Sequence, residues 1–342
     1  MSDLSTILLI YTGGTIGMAE DPETGSLNPI DFSHLREEIP ELKKLDLKLE
    51  VHAWEKPVDS SNIGTDFWLK LLGIIEKNYK KFDGFVILHG SDTMAYTASA
   101  LSFLLENVNK PIIFTGSQLP IGKIRTDGKE NLITALEIAA TREHGLPLVP
   151  EVAIYFEYAL YRANRTAKVS AENFKAFQSP NYPLLAEAGV HIKYNRFAIR
   201  KPDNLPLLVR KNIVDQVASV KLFPGMRREV FHAVANITGL KGLIIETFGS
   251  GNAPSNSWLT EELLELRKKE VIVVNITQCT TGSVIQGKYE TGVHLERAGV
   301  LSGRDMTFEA AITKLMYILS CKELSLEQMK QYMETNLRGE IA

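Results

Sequence analysis

The sequence carries hydroxyl, amide and carboxylate side chains in four short turns, each of which follows an apolar run. These turns are TGGT (12–15), HGSDT (89–93), TGSQ (115–118) and GSGN (249–252). An ordinary connection between a strand and a helix needs only a glycine or a capping residue. The additional reactive and polar groups therefore indicate a site that several turns assemble together.

Thr15 is the candidate nucleophile of the first turn, since it follows the apolar run ILLIY (7–11) and stands between Gly14 and Gly17. A threonine hydroxyl is a weak nucleophile at neutral pH and needs a neighbouring base or a supporting hydrogen-bond network. The alternative is a tight strand-to-helix turn in which Thr15 is only a capping residue. These residues alone leave both interpretations open.

The second turn places a carboxylate, Asp92, between the hydroxyl residues Ser91 and Thr93. Ser91 or Asp92 could cap the helix that follows, and Asp92 could instead bind an ammonium group. Lys168, in RTAKVSA, could complete a hydroxyl–lysine–carboxylate relay, although a lysine is more often a surface charge. We expect His89 to be a packed residue at the end of a strand rather than a general base.

Several other chemistries have no support in the sequence. TGGTIG lacks the first glycine of G-x-G-x-x-G, because Thr12 stands there, and no lysine of a phosphate-binding loop follows it. The sequence contains neither G-x-S-x-G nor H-E-x-x-H, and its seven histidines are not spaced as metal ligands. We therefore predict neither a metal site nor a cofactor.

Composition and charge argue against several partners. The 342 residues carry a formal charge of −3, which gives no electrostatic reason to expect nucleic acid or an anionic membrane as a partner. Two cysteines, Cys279 and Cys321, cannot form a disulfide framework. The N-terminal sequence lacks the charged and apolar regions of a signal peptide, which predicts a cytoplasmic protein.

The elements that must position these turns follow an alternating pattern. Apolar runs at 7–11, 84–90, 111–117 and 151–158 predict parallel strands that are covered on both faces. Helical spacing predicts one helix over 93–107 and another over 130–140. This alternation predicts an α/β fold, and ligands in such sheets bind at the carboxyl ends of the strands.

The same alternation restarts in the last third of the chain, with apolar runs at 242–251 and 271–279 and helical segments around them. We therefore predict two α/β domains. The larger one, residues 1–200, has a mostly parallel, flavodoxin-like sheet, and the smaller one, residues 223–342, has a parallel sheet of its own. Prolines and charges without a helical period predict a linker over 201–222.

With these motifs in place, the chain resembles the bacterial-type L-asparaginases. LIYTGGTIG (9–17) and GFVILHGSDTM (84–94) are similar to the two signature motifs of that family, in the right register. TGSQLP, RTDGKENL, NRTAKVSA, FGSGNAP and VNITQC extend the resemblance over essentially the whole chain. YTGGTIGM, VDSSN and the missing signal peptide are similar to the type I, cytoplasmic branch.

The resemblance implies hydrolysis of L-asparagine to L-aspartate and ammonia, without a cofactor. Thr15 matches the nucleophile, which is expected to form an aspartyl ester. Ser91, Asp92 and Lys168 match a triad that assists proton transfer and orients the hydrolytic water, and Asp92 also holds the substrate ammonium. Backbone amides at the turns of Gly14 and Gly90 are expected to stabilise the oxyanion.

Other positions match residues that bind the substrate. Asp59, Ser60 and Ser61 match the segment that binds the α-carboxylate, and Ser117 lies where the leaving amide approaches a backbone carbonyl. Asn252 matches an asparagine that reaches the active site from a neighbouring subunit. The resemblance therefore implies a homodimer, often paired into a homotetramer.

The sequence departs from the family pattern at two points. Ser91 stands where the family usually has threonine, which keeps the hydroxyl and loses a methyl group. Many members carry a tyrosine in a mobile loop beside the nucleophile, and here Ser26 or Leu27 stands at that place. One candidate to activate Thr15 in place of that tyrosine is a hydrogen-bond network that reaches Lys168 through water. We expect the flanking segment 18–30 to close over the site, with Gly17 and Gly25 as hinges.

Three rival functions stay open on the sequence. A glutaminase differs only by one methylene in its substrate, which an apolar pocket discriminates by about 1–3 kcal/mol. The asparaginase-like subunit of a tRNA-dependent amidotransferase is similar but carries an extra N-terminal domain, for which TGGT at 12–15 leaves no room. A small-molecule sensor could keep the fold without turnover, but the joint presence of Thr15, Asp92 and Lys168 argues against it.

Overall fold

The computed structural model describes residues 4–20, 27–29, 39–202, 205–286 and 290–342. The chain divides into two compact units. The first contains Met1–Ser179 and Pro183–Lys211, and the second contains Pro180–Tyr182 and Asn212–Ala342. Ser26, Gly25 and most of the predicted closing segment lie outside the described residues.

The first unit is built on one mixed sheet. Its strands are β1 (Ser5–Tyr11), β4 (Leu47–Ala53), β5 (Gly84–Leu88), β7 (Ile112–Thr115), β10 (Val152–Phe156), β11 (Ala159–Arg162), β14 (Ala186–Ala188) and β15 (Ile192–Tyr194). The order is β15-β14-β11-β10-β7-β5-β1-β4, with parallel pairing from β4 to β10 and antiparallel pairing from β10 to β15. The parallel part has the flavodoxin-like order, so the predicted fold class is confirmed.

The helices of this unit are α1 (Thr65–Asn78), α2 (Met94–Leu104) and α3 (Gly128–Ala140). The apolar residues of β5 are buried throughout, as expected for a parallel strand in the middle of a sheet. Helix α2 is buried on nearly all sides and packs on β10, while α3 packs on β1, β5 and β7. These layers hold the carboxyl ends of the strands in place.

Helix α2 differs from its prediction at both ends. It ends at Leu104 rather than at 107, because Leu105–Glu106 form strand β6 and pair with β16 (Leu208–Val209). Its N-cap residue is Thr93, so neither Ser91 nor Asp92 caps it, and no side chain makes a capping hydrogen bond.

The remaining elements of the first unit are short. They are β2 (Met18–Glu20), β3 (Leu27–Pro29), β8 (Arg142–Glu143), β9 (Leu146–Pro147), β12 (Ala167–Lys168), β13 (Phe177–Gln178), and the 3₁₀ turns Thr15–Gly17, Pro40–Lys44, Ser60–Asn62 and Ala163–Arg165. Two of these turns and β12 carry predicted site residues, so the first unit places the candidate chemistry on short segments beside a rigid sheet.

The second unit is a separate parallel α/β unit. Its strands are β17 (Val217–Lys221), β18 (Gly242–Thr247), β19 (Ile272–Thr277) and β20 (Leu301–Ser302), in that order in the sheet. Its helices are α4 (Arg228–Ala235), α5 (Ser257–Lys268), α6 (Glu290–Arg297), α7 (Phe308–Ile318) and α8 (Leu326–Glu334). Leu243 and Ile245 of β18 pack with Phe231 of α4 and Leu263 of α5 in its core.

The segment predicted as a linker, 201–222, is divided between the units. Its strand β16 pairs with β6 of the first unit, and its strand β17 is an edge of the sheet of the second. The division between the units falls after Lys211. Asn181 belongs with the second unit because its amide hydrogen-bonds Gly282 and Asp305. Among the described residues, no helix has the length and apolar character needed to cross a membrane.

Candidate active site

Three of the polar turns begin at the same edge of the first sheet. In the register of the sheet, Tyr11 of β1 pairs with Leu88 of β5, and Leu88 pairs with Thr115 of β7. Because the strands are parallel and end level with one another, the turns that follow them lie side by side. The sheet therefore gathers residues 12–15, 89–93 and 116–118, as predicted from the sequence.

Glycines let the backbones of these turns approach one another closely. A Cβ on Gly14 would lie 2.5 Å from the Gly90 nitrogen, and one on Gly90 would lie 2.5 Å from the Ser60 hydroxyl oxygen. Gly13 would meet the Val58 carbonyl in the same way, at 2.2 Å, and both Gly13 and Gly14 have positive φ. The space that a side chain would need is therefore filled by backbone atoms at Gly13 and Gly14 and by the Ser60 side chain at Gly90.

Thr15 begins the 3₁₀ turn after β1 and is half-buried. The N-cap of this turn is Gly14 and not Thr15, which removes capping as the explanation of the threonine. No hydrogen bond joins the Thr15 hydroxyl to any residue that the structure describes. The Tyr11 hydroxyl donates to the Gly17 carbonyl at 3.2 Å, and this bond supports the turn from below.

Lys168 joins the second turn through two hydrogen bonds. Its Nζ donates to Asp92 Oδ1 at 2.6 Å and to Ser91 Oγ at 2.9 Å. The Lys168 side chain is 16% exposed, whereas that of Asp92 is 60% exposed. The predicted hydroxyl–lysine–carboxylate cluster is therefore formed, with its lysine partly sheltered and its carboxylate open to water.

Gln118 extends this cluster, and sequence reasoning gave it no role. Its Nε2 donates to the carbonyls of Ala171 and Asn173, at 3.2 and 3.1 Å, which fixes the orientation of the amide. Its Oε1 accepts the Ser91 hydroxyl at 3.2 Å. Ser91 thus donates to Gln118 and accepts from Lys168. The signal for Gln118 was its place in the TGSQ turn.

The Ser60–Asn62 turn lies beside the same edge, because the Thr12 carbonyl of the first turn accepts the Val58 amide at 2.9 Å. The Asp59 carboxylate accepts the Ser61 amide at 2.9 Å. Ser60 is buried, while Asp59 and Ser61 are exposed. The structure therefore places these predicted residues next to Gly90, and their substrate contacts remain a prediction.

The third turn is held by residues at the start of α3. The Ser117 hydroxyl is buried and donates to the Leu119 carbonyl at 2.5 Å. The Asp127 carboxylate accepts the amides of Gln118 and Leu119, and the Asn131 amide donates to Asp127 at 3.2 Å. Asp127 and Asn131 come from the RTDGKEN segment, where the sequence suggested a helix start but not these contacts.

His89 is packed, as predicted. It is fully buried, its Nδ1 lies 2.7 Å from the Gly90 carbonyl, and its Nε2 lies 3.0 Å from Thr97 Oγ1. Because a carbonyl only accepts, Nδ1 carries the proton, and Nε2 accepts the Thr97 hydroxyl, which in turn accepts from Trp68 Nε1. Burial lowers the pKa of His89 to about 4, so the ring is neutral near pH 7.

Asn252 belongs to the second unit and is described within it. It follows β18 in a turn closed by paired backbone hydrogen bonds with Phe248, at 2.8 and 2.9 Å. Asn275 supports the turn by donating to the Gly251 carbonyl at 3.1 Å. The contribution of Asn252 to a neighbouring subunit's site stays a prediction.

No group of three or more histidine, cysteine, aspartate or glutamate side chains suited to a metal ion occurs in the part of the chain that the structure describes. The groups gathered at the sheet edge are instead a hydroxyl, an ammonium–carboxylate pair and polar backbone. This set suits nucleophilic attack and proton transfer on a small polar substrate.

Comparison with known proteins covers both units. Residues 6–200 match the family described as Asparaginase, N-terminal, and residues 216–333 match the Glutaminase/Asparaginase C-terminal domain. L-asparaginase 1 of Escherichia coli is 42% identical over 340 residues, which are 98% of either chain. The crystal structure of L-asparaginase I from Vibrio cholerae matches with a TM-score of 0.90 at 38% identity and covers 99% of both chains.

A longer relative bears on one of the rival functions. A component of the glutamyl-tRNA(Gln) amidotransferase of Pyrococcus abyssi is 31% identical to this chain. The aligned region covers 99% of this chain and 77% of the relative.

The two domain matches and the full-length similarity to E. coli L-asparaginase 1 are decisive for the family. The chain belongs to the asparaginase family.

Proposed function

We propose that the protein hydrolyses L-asparagine to L-aspartate and ammonia, with Thr15 as nucleophile. The observation that carries this proposal is the cluster of Lys168, Ser91 and Asp92 at the edge of the sheet where the turn that contains Thr15 follows β1. Membership of a family whose relatives are named L-asparaginase supports the choice of substrate.

In the proposed reaction, the Thr15 oxygen attacks the side-chain carboxamide carbon of asparagine. Its proton goes to the nitrogen, the carbon–nitrogen bond breaks, and ammonia leaves an aspartyl ester on Thr15. Water then attacks the ester carbon, releases aspartate and returns the proton to Thr15. Lys168 and Ser91 serve the proton transfers, and backbone amides near Gly14 and Gly90 bind the oxyanion.

In the same proposal, Asp92 binds the α-ammonium of the substrate, and Asp59, Ser60 and Ser61 form the side that receives its α-carboxylate. Buried Ser117 lies near the leaving amide. L-glutamine is a candidate side substrate, since one methylene is weakly discriminated by contact alone. A cytoplasmic location and a homo-oligomeric state belong to the same proposal.

Ammonia release from L-asparagine and L-glutamine by wild type and Thr15→Ala tests the proposal. We expect Thr15→Ala to lower kcat for asparagine by at least about a thousandfold, the scale of losing a nucleophile. Thr12→Val is the matched control in the same turn, because the Thr12 hydroxyl donates to the Leu88 carbonyl and is not available to attack. Near-normal turnover by Thr15→Ala would exclude the nucleophile, and no turnover by wild type would exclude the reaction.

The proposed sharing of sites between subunits has its own test, in which Thr15→Ala and Asn252→Ala subunits are refolded together. If Asn252 acts in the neighbour's site, a hybrid dimer holds one intact site, and an equal mixture regains about a quarter of wild-type activity. A mixture as inactive as its parents would show that both residues act within one subunit.

A further inference from the structure

The start of helix α2 departs from normal helix capping. Three residues in a row, Ser91, Asp92 and Thr93, are of the types that cap helices best. Thr93 holds the N-cap position with φ −116° and ψ 14°, and no side chain makes a capping hydrogen bond. The polar groups before α2 therefore serve contacts outside the helix.

The Thr93 hydroxyl makes its hydrogen bond to another turn. It donates to the Ser60 carbonyl at 2.8 Å, across a separation of 33 residues. The same carbonyl also accepts the Ile63 amide at 3.2 Å, within the 3₁₀ turn. Thr93 thus ties the Ser60–Asn62 turn to the segment that carries Asp92.

The two tied segments also contact each other through Gly90. A Cβ there would lie 2.5 Å from the Ser60 hydroxyl oxygen, so the turns are in close contact at this point. Gly90 lies on one side of Asp92 in the sequence and Thr93 lies on the other. Asp92 is therefore held from both sides against the Ser60 turn, although its own carboxylate is exposed.

We infer that Thr93 is a positioning residue that sets the distance between the carboxylate-binding and ammonium-binding sides of an α-amino acid site. This inference rests on the proposed function of Asp92 and of residues 59–61. A ligand that carries both an α-ammonium and an α-carboxylate group gains from correct spacing, because one group holds the other in place. A ligand with only one of the two groups gains nothing from it.

Binding of three small acids to wild type, Thr93→Val and Thr93→Ser tests this inference. L-aspartate carries both groups, succinate lacks the ammonium, and β-alanine lacks the α-carboxylate. Loss of one hydrogen bond corresponds to about a three- to tenfold change in Kd. We expect Thr93→Val to weaken the binding of L-aspartate by that factor and the binding of succinate and β-alanine by less than twofold. Thr93→Ser should restore the binding of L-aspartate.

Thr93→Val is expected to remain folded, because α2 has no cap bond to lose and the Ser60 carbonyl keeps its bond from Ile63. Equal weakening of all three ligands, or unchanged binding of L-aspartate, would overturn the inference. The binding of these ligands is measured by calorimetry, which does not depend on catalytic turnover. A wild type that binds L-aspartate but releases no ammonia would therefore refute the proposed reaction while the test of Thr93 proceeds.

Discussion

Two helices of the second unit, α7 and α8, begin differently from helix α2 of the first unit. In the second unit, the Thr307 hydroxyl accepts the Ala310 amide at the start of α7, and Ser325 forms a capping box with Gln328 at the start of α8. In the first unit, the three polar residues before α2 bond to Lys168, Gln118 and the Ser60 carbonyl, and none of their side chains makes a capping hydrogen bond. Before α2, the side chains of cap-type residues are engaged in contacts with neighbouring turns and with Lys168 instead of with the helix backbone.

The units also differ in how they use a lysine–carboxylate pair. Lys314 and Glu340 of the second unit lie 2.5 Å apart and are both fully buried. Lys314 also donates to the Met333 and Thr335 carbonyls, and Glu340 accepts the amides of Leu337 and Arg338. Every group in this pair is engaged in holding the C-terminal segment, whereas the pair of Lys168 and Asp92 has an open carboxylate. The buried pair of Lys314 and Glu340 is suited to stability, and the open pair of Lys168 and Asp92 is suited to chemistry.

The largest expected effect concerns the open pair. We expect Lys168→Met to lower kcat for asparagine by about two to four orders of magnitude, the usual contribution of proton transfer. Its unfolding free energy should change by at most about 1 kcal/mol, because a pair with an exposed partner contributes little. Lys175→Met, at an exposed lysine in the connection between β12 and β13, is the control and should keep kcat. A Lys168→Met variant that loses unfolding free energy but retains kcat would show that the open pair serves stability rather than chemistry.

The buried pair should behave in the opposite way. Glu340→Gln leaves the Lys314 ammonium without its charged partner, and we expect a loss of about 3–5 kcal/mol of unfolding free energy. Activity of the folded protein should be unchanged. Urea unfolding gives the free energy, and Glu327→Gln, which removes the exposed partner of Lys330, should cost less than about 1 kcal/mol. Equal losses in the two variants would show that burial is not what separates the pairs.

A third region, the buried hydrogen-bond network of His89, Thr97 and Trp68, predicts that the stability of the fold depends on pH. The pKa of His89 is lowered to about 4 in the fold, mainly by burial, from about 6.5 in an unfolded chain. Between about pH 4 and pH 6.5, the unfolded chain therefore binds a proton at His89 that the folded protein does not bind. The contribution of His89 to stability is therefore full above pH 6.5 and falls by about 3 kcal/mol as the pH drops to 4.

The measurement is urea unfolding between pH 7 and pH 4 of wild type, His89→Gln and His191→Gln. His191 is exposed, so its variant should keep the wild-type pH dependence. The glutamine at position 89 does not titrate and should flatten the curve. If His89→Gln loses stability on acidification as steeply as wild type, the imidazole is not the group responsible.

Much of the fold could be predicted from local patterns. The apolar runs at 7–11 and 84–90 predict strands, and the structure has neighbouring parallel strands at Ser5–Tyr11 and Gly84–Leu88, because such runs suit a sheet that is buried on both faces. Thr15, Ser91 and Asp92 were located for the same reason, since each follows one of these strands directly. The sequence therefore predicts the edge of the sheet at which Thr15, Ser91 and Asp92 lie.

The contacts between those groups depend on pairings that are distant in the chain. Lys168 meets Ser91 across 77 residues, and Thr93 meets Ser60 across 33, so neither contact has a local signal. The end of α2 was misplaced for the same reason, because β6 pairs with residues 208–209. Ser91 and Asp92 are of residue types that suit a helix cap, and propensity alone does not show that their side chains bond to Lys168 instead.

The smallest expected effect tests the helix starts themselves, by amide hydrogen exchange. Ser325→Ala removes the oxygen that accepts the Gln328 amide at 3.3 Å, and loss of a cap costs about 1 kcal/mol, which predicts roughly fivefold faster exchange of that amide. Thr93→Val should leave the exchange of the Tyr96 amide, at the equivalent position of α2, unchanged, because Thr93 makes no capping bond. Faster exchange at Tyr96 would show that the Thr93 side chain caps α2 in solution, and the contrast between α2 and the capped helices α7 and α8 would then disappear.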